Sequence, residues 1–95
     1  MPHFFYVYIL RSLKDGGFYI GSTSDLKSRM GRHSGGSVDS TKPRRPLELI
    51  FYEAFRSLDD AARREQYLKS TKGRTTLNTM LQCFLGEVAP ATPPR

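Results

Sequence analysis

The chain opens on an aromatic and β-branched run, Phe4 to Arg11 (FFYVYILR), which predicts a strand buried on both faces. Lys14-Asp15-Gly16-Gly17 follows as a turn signal, because an Asp-Gly pair accepts the positive φ angles of a tight hairpin. Phe18 to Ser22 (FYIGS) predicts the returning, antiparallel strand. A helix is expected next, with Ser24 as N-cap, Asp25 in the first turn and an end near His33. Ser34 to Pro46, rich in Gly, Ser and Pro, predicts a loop. Leu47 to Phe55 (LELIFYEAF) predicts a third strand, and a capping-box-like Ser57-x-x-Asp60 opens a second helix that ends near Lys69. Gly73 is expected to punctuate the chain before Thr75 or Thr76 caps a last helix with Leu77, Met80, Leu81 and Phe84 on one side. The order β-β-α-β-α-α predicts an α+β domain, a small three-stranded, mainly antiparallel sheet flanked by helices. Residues 1–85 make this single domain, and residues 86–95 (GEVAPATPPR) are expected to form a flexible tail with too little apolar content to order itself.

Helical geometry turns the polar positions into a clue. In the second helix, with Leu58 at 0°, Ala61 lies at about 300°, Ala62 at about 40° and Leu68 at about 280°. Glu65 falls inside that apolar stripe and Lys69 beside it. A carboxylate turned toward a sheet costs several kcal/mol unless it is paired or holds a metal. Two readings follow: an ion pair of Glu65 with Arg29 or Lys69, or a ligand for a divalent cation. The first helix repeats the pattern, since Arg29 and His33 share the apolar face with Leu26 and Met30. Two helices thus aim ionisable groups at the sheet.

The strands carry two tyrosines that bear on the same clue. A two-residue Asp15-Gly16 turn would pair Lys14 with Gly17 and Ser12 with Tyr19, which puts Tyr8 and Tyr19 on one face. They would be offset by roughly 13 Å along the strands, so the hydroxyls converge only if the rings lean together or the register shifts. Gly21 would lie opposite Leu10 and leave space for a close approach.

Composition narrows the partners. The 95 residues carry a net charge of +6, and so basic a chain suits nucleic acid first and an anionic surface second. Lys27 and Arg32 on the first helix, Lys42, Arg44 and Arg45 in the long loop, and Lys69 are candidates to track a DNA backbone. A solvated basic surface explains any one of them as well. The single cysteine, Cys83, excludes an internal disulfide framework and a cysteine-based zinc cluster. With no membrane-length apolar run and no secretory leader pattern, a cytoplasmic setting is expected.

Tyr6-Val7-Tyr8, then Tyr19-Ile20-Gly21, Leu26-x-x-Arg29-x-x-x-His33 and finally Glu65 together resemble the ordered motifs of the GIY-YIG nucleases, and in particular the small stand-alone bacterial members. The resemblance runs over most of the domain. Tyr6 and Val7 stand where the name-giving Gly and Ile would be, at positions that serve structure. The resemblance implies hydrolysis of DNA phosphodiester bonds with one divalent ion, Mg²⁺ or alternatively Mn²⁺. By that resemblance Tyr8, Tyr19, Arg29, His33 and Glu65 form the active site, with Gly21 and Asn78 in support. Glu65 would hold the metal, and Arg29 would stabilise the charge of the transition state. Tyr8 would act as general base, its phenol pKa lowered by nearby positive charge. Tyr19 and His33 would position water and phosphate, the two tyrosines being able to exchange roles. Structured or damaged DNA is the expected substrate, and a repair or recombination protein an expected partner. The alternative is an inactive nucleic-acid-binding or repair-complex interaction module on the same fold.

Overall fold

The computed structural model describes residues 3–88. Three strands, β1 (Phe5–Ser12), β2 (Phe18–Thr23) and β3 (Leu47–Phe55), form one antiparallel sheet in the order β2-β1-β3. The central place falls to β1, whose residues Val7, Tyr8, Ile9 and Leu10 are buried in succession. A strand covered on both faces reads as a continuous apolar run, as this one does. Among the described residues four helices accompany the sheet: α1 (Leu26–Ser34), α2 (Leu58–Lys69), α3 (Thr71–Met80) and α4 (Gln82–Val88). A short 3₁₀ turn, Lys42–Arg44, interrupts the long loop before β3. Among the described residues no helix is long and apolar enough to cross a membrane.

The pleat divides the side chains of the sheet between two faces. Val7 and Ile9 of β1 and Ile20 of β2 point toward α2 and α3, where they meet Ala61, Leu68 and Leu77. Tyr8 and Leu10 point to the other face, toward α1. Register shifts at Ile9/Leu10, where β3 carries an irregularity between Leu49 and Phe51.

Several local expectations are corrected. The β1-β2 connection is a four-residue loop, Leu13–Gly16, closed by the Ser12 N–H on the Gly17 carbonyl at 2.8 Å. The cause is Ser12, whose Oγ accepts from the N–H groups of Lys14 (3.2 Å) and Asp15 (3.3 Å) and so stabilises a wider turn. Gly16 supplies the left-handed residue at φ +76°. The register therefore moves by two residues, with Leu10 opposite Tyr19 and Tyr8 opposite Gly21.

Asp25, not Ser24, caps α1, its carboxylate accepting from the Ser28 N–H at 3.1 Å. Ser57 precedes α2 without a side-chain cap. Helix α3 starts earlier than expected because Ser70 caps it, accepting from the Gly73 N–H at 3.1 Å. Gly73 thus lies inside a helix rather than between helices. A Cβ built there would lie 1.9 Å from the Tyr67 carbonyl oxygen, so the glycine permits α3 to turn tightly against the end of α2. Helix α4 continues through Gly86 to Val88, and the rest of the expected tail lies outside the described residues.

Candidate active site

The shifted register brings the two tyrosines together. Tyr8 and Tyr19 are diagonal neighbours across β1 and β2, with ring centroids 6.3 Å apart. Gly21 makes room for this, because a Cβ there would lie 2.5 Å from the Tyr8 phenol oxygen. The Tyr8 ring lies across the glycine toward β2, the edge strand. Tyr8 is itself completely buried.

Helix α1 closes the face. His33, 1% exposed, places its ring 5.6 Å from that of Tyr8 and 5.2 Å from that of Tyr19, edge-on to both. Its Nε2 is 2.8 Å from the Tyr8 hydroxyl and its Nδ1 is 2.8 Å from Thr41 Oγ1. Thr41 Oγ1 also donates to the Val38 carbonyl at 3.4 Å. A hydroxyl with its hydrogen directed there must accept from Nδ1–H, which leaves Nε2 as the acceptor for the Tyr8 O–H. The result is a directed chain, Tyr8 to His33 to Thr41 to the Val38 carbonyl. Among the described residues no buried side-chain nitrogen or oxygen lacks a partner.

The electrostatics set the resting protonation states. Burial pushes the Tyr8 phenol up to about 12; the neighbouring Tyr19 adds to the rise, the Arg29 guanidinium opposes it and Glu65 adds a smaller upward push. Positive charge does act on the phenol as expected, but burial outweighs it. Burial also pushes the His33 imidazole down, and the charges of Arg29 and Arg32 reinforce the shift. Both groups are therefore neutral near pH 7, phenol and imidazole sharing one hydrogen.

Glu65 reaches the sheet from the opposite face. It extends from α2 to the β2 edge, where the Ser22 hydroxyl donates to Oε1 at 2.7 Å and Lys69 Nζ lies 3.0 Å from Oε2. Its side chain is 17% exposed, so it sits at the margin of the buried stripe. The reason is that Leu58 and Ala62 face solvent, which moves the centre of the stripe toward Ala61 and Leu68. The opposite margin carries Arg64, paired with Glu53 of β3 at 2.8 Å. Of the two ion-pair partners considered for Glu65, Lys69 is the one observed.

The donor set suits a hard cation that keeps most of its water. Among the described residues no three His, Cys, Asp or Glu side chains cluster as a metal cage. One partly exposed carboxylate, Glu65, with the Ser22 hydroxyl and the Lys69 ammonium on its oxygens, is a hard oxygen donor that could hold a divalent ion together with water and substrate oxygens, and it lacks the nitrogen and sulfur ligands of a zinc site.

The remaining expected residues divide. Lys27, Arg32 and Lys42 are exposed. Arg44 donates to the Phe18 carbonyl at 3.1 Å, and Arg45 to the carbonyls of Lys42 (3.2 Å) and Ser34 (3.1 Å), so both arginines hold the long loop. Asn78 is exposed on α3, next to the buried Leu77. Two residues escaped the sequence reading. Ser22 was accessible to it, since strand alternation turns the residue after Gly21 toward α2. Thr41 gave no signal, because its role depends on where a loop returns.

Comparison with known proteins agrees with this architecture. A family model described as the GIY-YIG catalytic domain matches residues 4–78. The UPF0213 protein YazA of Bacillus subtilis is 44% identical over 68 residues, which cover 70% of this chain and 66% of that protein. A UPF0213 protein of Streptococcus pneumoniae is 38% identical over 73 residues, covering 76% of this chain and 73% of its own. The solution structure of the UPF0213 protein BH0048 from Bacillus halodurans superimposes with a TM-score of 0.52 at 35% identity, covering 81% of this chain and 84% of that one.

Proposed function

The chain belongs to the GIY-YIG nuclease family, and from that premise we propose that it is a divalent-metal-dependent endonuclease hydrolysing DNA phosphodiester bonds, including those in structured or damaged DNA. The observation that carries the reading is the buried chain from Tyr8 to His33 to Thr41. Burying three polar side chains in so small a core costs stability unless each is paired, and here the pairing aims one phenol.

In this reading the Tyr8 oxygen takes a proton from the attacking water as the phenol's own proton passes to His33 Nε2. The hand-on matters because a phenol raised to about 12 does not accumulate as phenolate near neutral pH. Thr41 holds the imidazole so that Nε2 is the open nitrogen. The hydroxide attacks phosphorus and the leaving oxygen departs on the opposite side. Arg29, beside Tyr8, stabilises the negative charge that grows on the phosphoryl oxygens. Tyr19 packs edge-on against His33 and orients the water. Glu65, with Ser22 beside it, would hold a divalent ion, which when bound supplies Lewis-acid stabilisation of the phosphate and leaving oxygen.

The test is cleavage of single-stranded, duplex, nicked and branched DNA with Mg²⁺ or Mn²⁺. Tyr8→Phe and Glu65→Ala should each lose on the order of 100-fold or more, the usual worth of a positioned base or a metal site. If Glu65→Ala cuts as fast as wild type, the metal assignment fails. Binding without cleavage across the whole panel would make the chain a nucleic-acid-binding module instead.

A further inference from the structure

The α1 face of the sheet does not end at Tyr8. Two residues back along β1, Tyr6 lies on the same face, and directly across on β3 the cross-strand partner of Tyr8 is Tyr52. Tyr6 and Tyr52 form an edge-to-face pair with centroids 6.1 Å apart. Tyr52 is 53% exposed and Leu49 37% exposed. These side chains, with Phe4 and the α1 residue Lys27, line an open groove of about 820 Å³ between the sheet and α1. Among the described residues no helix covers this part of the sheet, whereas α2 packs on the opposite face.

We infer that the Tyr6–Tyr52 surface is a stacking platform for an unpaired nucleobase of the strand whose phosphate lies at Tyr8 and Arg29. The inference rests on the nuclease reading and adds the form of nucleic acid it receives. Three observations select this occupant. The groove adjoins the proposed reaction site, since Met30 and Leu49 line both the groove and the cleft that holds His33. An exposed aromatic face flanked by cations suits a base with its phosphate: Lys27 lines the groove, and the Arg56 guanidinium lies 5.9 Å from the Phe4 ring. The one acidic side chain in the lining, Asp25, is committed to capping α1. Bases in an intact duplex are stacked on each other and offer no free face, so this surface distinguishes single strands, flaps and frayed ends from duplex.

The experiment is fluorescence-anisotropy titration of the full chain in chelator, which separates binding from cleavage. The probes are a labelled twelve-nucleotide thymidine oligomer and a duplex of equal length. Tyr52→Ala should weaken single-strand binding by roughly five- to 100-fold, the loss of one base–aromatic stack. It should leave duplex binding unchanged, and Tyr52→Phe should bind like wild type. Unfolding midpoints of both variants check that the fold is kept; Tyr6→Leu is the second variant should Tyr52→Ala fail to fold. Equal loss on both probes, or no loss on either, overturns the platform. So does sedimentation showing that Tyr52→Ala abolishes a wild-type dimer with DNA affinity unchanged, which would assign the face to a second copy. Wild-type cleavage with no effect of Tyr52→Ala sinks the platform and leaves the nuclease standing. A selective Tyr52→Ala effect in a protein that never cleaves does the reverse.

Discussion

The two faces of one three-stranded sheet are built on opposite principles. Toward α2 and α3 the contacts are apolar, with Val7, Ile9, Ile20, Ala61, Leu68 and Leu77 packed against one another. Toward α1, beside the buried Leu10, lie a buried phenol, imidazole and hydroxyl joined by hydrogen bonds, next to aromatic surface left open to solvent. Domains this small bury a limited fraction of their surface, so a polar face is tolerable only when the other face supplies the hydrophobic contribution. One side of β1 stabilises the fold, and the other carries the chemistry of the proposed function. Glu65 joins them at the β2 edge, where both helical layers reach the same strand.

That division can be broken from either side. Leu77→Ala should show the largest loss of stability, about 2–5 kcal/mol for a fully buried leucine, read from chemical denaturation. Cleavage by its folded fraction should stay near wild type. A loss of activity without a loss of stability would mean that the faces are not separable.

His33→Ala should cost less stability, about 1–3 kcal/mol for leaving the Tyr8 and Thr41 hydroxyls without their shared partner, yet remove cleavage. Its pH dependence sharpens the point. The folded imidazole is held below its ordinary value of 6.5, so below that pH the unfolded chain binds a proton that the folded one resists. Wild-type stability is therefore full above about 6.5 and declines as pH falls toward the folded value. The difference in Tm between wild type and His33→Ala should narrow over that window. Cleavage should fall on the same acid side, since a protonated imidazole accepts nothing from Tyr8. Equal acid slopes in the two proteins would contradict the buried neutral histidine.

The smallest effect separates two kinds of basic residue. Lys42→Ala should change stability by less than about 0.5 kcal/mol and lower the salt slope of DNA binding by about one phosphate contact. Arg45→Ala should instead loosen the loop it ties to Ser34 and Lys42. Identical behaviour in the two variants would erase that distinction.

Element types and their order through α2 are legible from periodicity, because α1 and α2 present 3.6-residue stripes and β1 a continuous apolar run, whereas the single last helix expected across Leu81 is two, α3 and α4, parted at that residue. Arg29 and His33 were placed on the sheet-facing side by the same geometry. Glu65 was read as more central than it is, because the wheel weights Leu58 as core while a first-turn residue can project past the sheet. The hairpin register was misjudged because a side chain, Ser12, competes with the Asp-Gly signal for the turn. Thr41 and the tight α2–α3 approach at Gly73 depend on tertiary contacts that no local pattern records.

Ser12 has a further consequence, in the order of folding. Its hydroxyl accepts from the hairpin N–H groups and also donates to the Arg44 carbonyl at 2.7 Å, 32 residues away. The local contacts close a loop of a few residues, an event of microseconds, whereas the distant one waits for the whole α1 segment to return. The diagonal offset of Tyr8 and Tyr19 is thus set early, by short-range closure. The arrival of Thr41 behind His33 comes with the late closure, so the pairing of the tyrosines precedes the orientation of the imidazole.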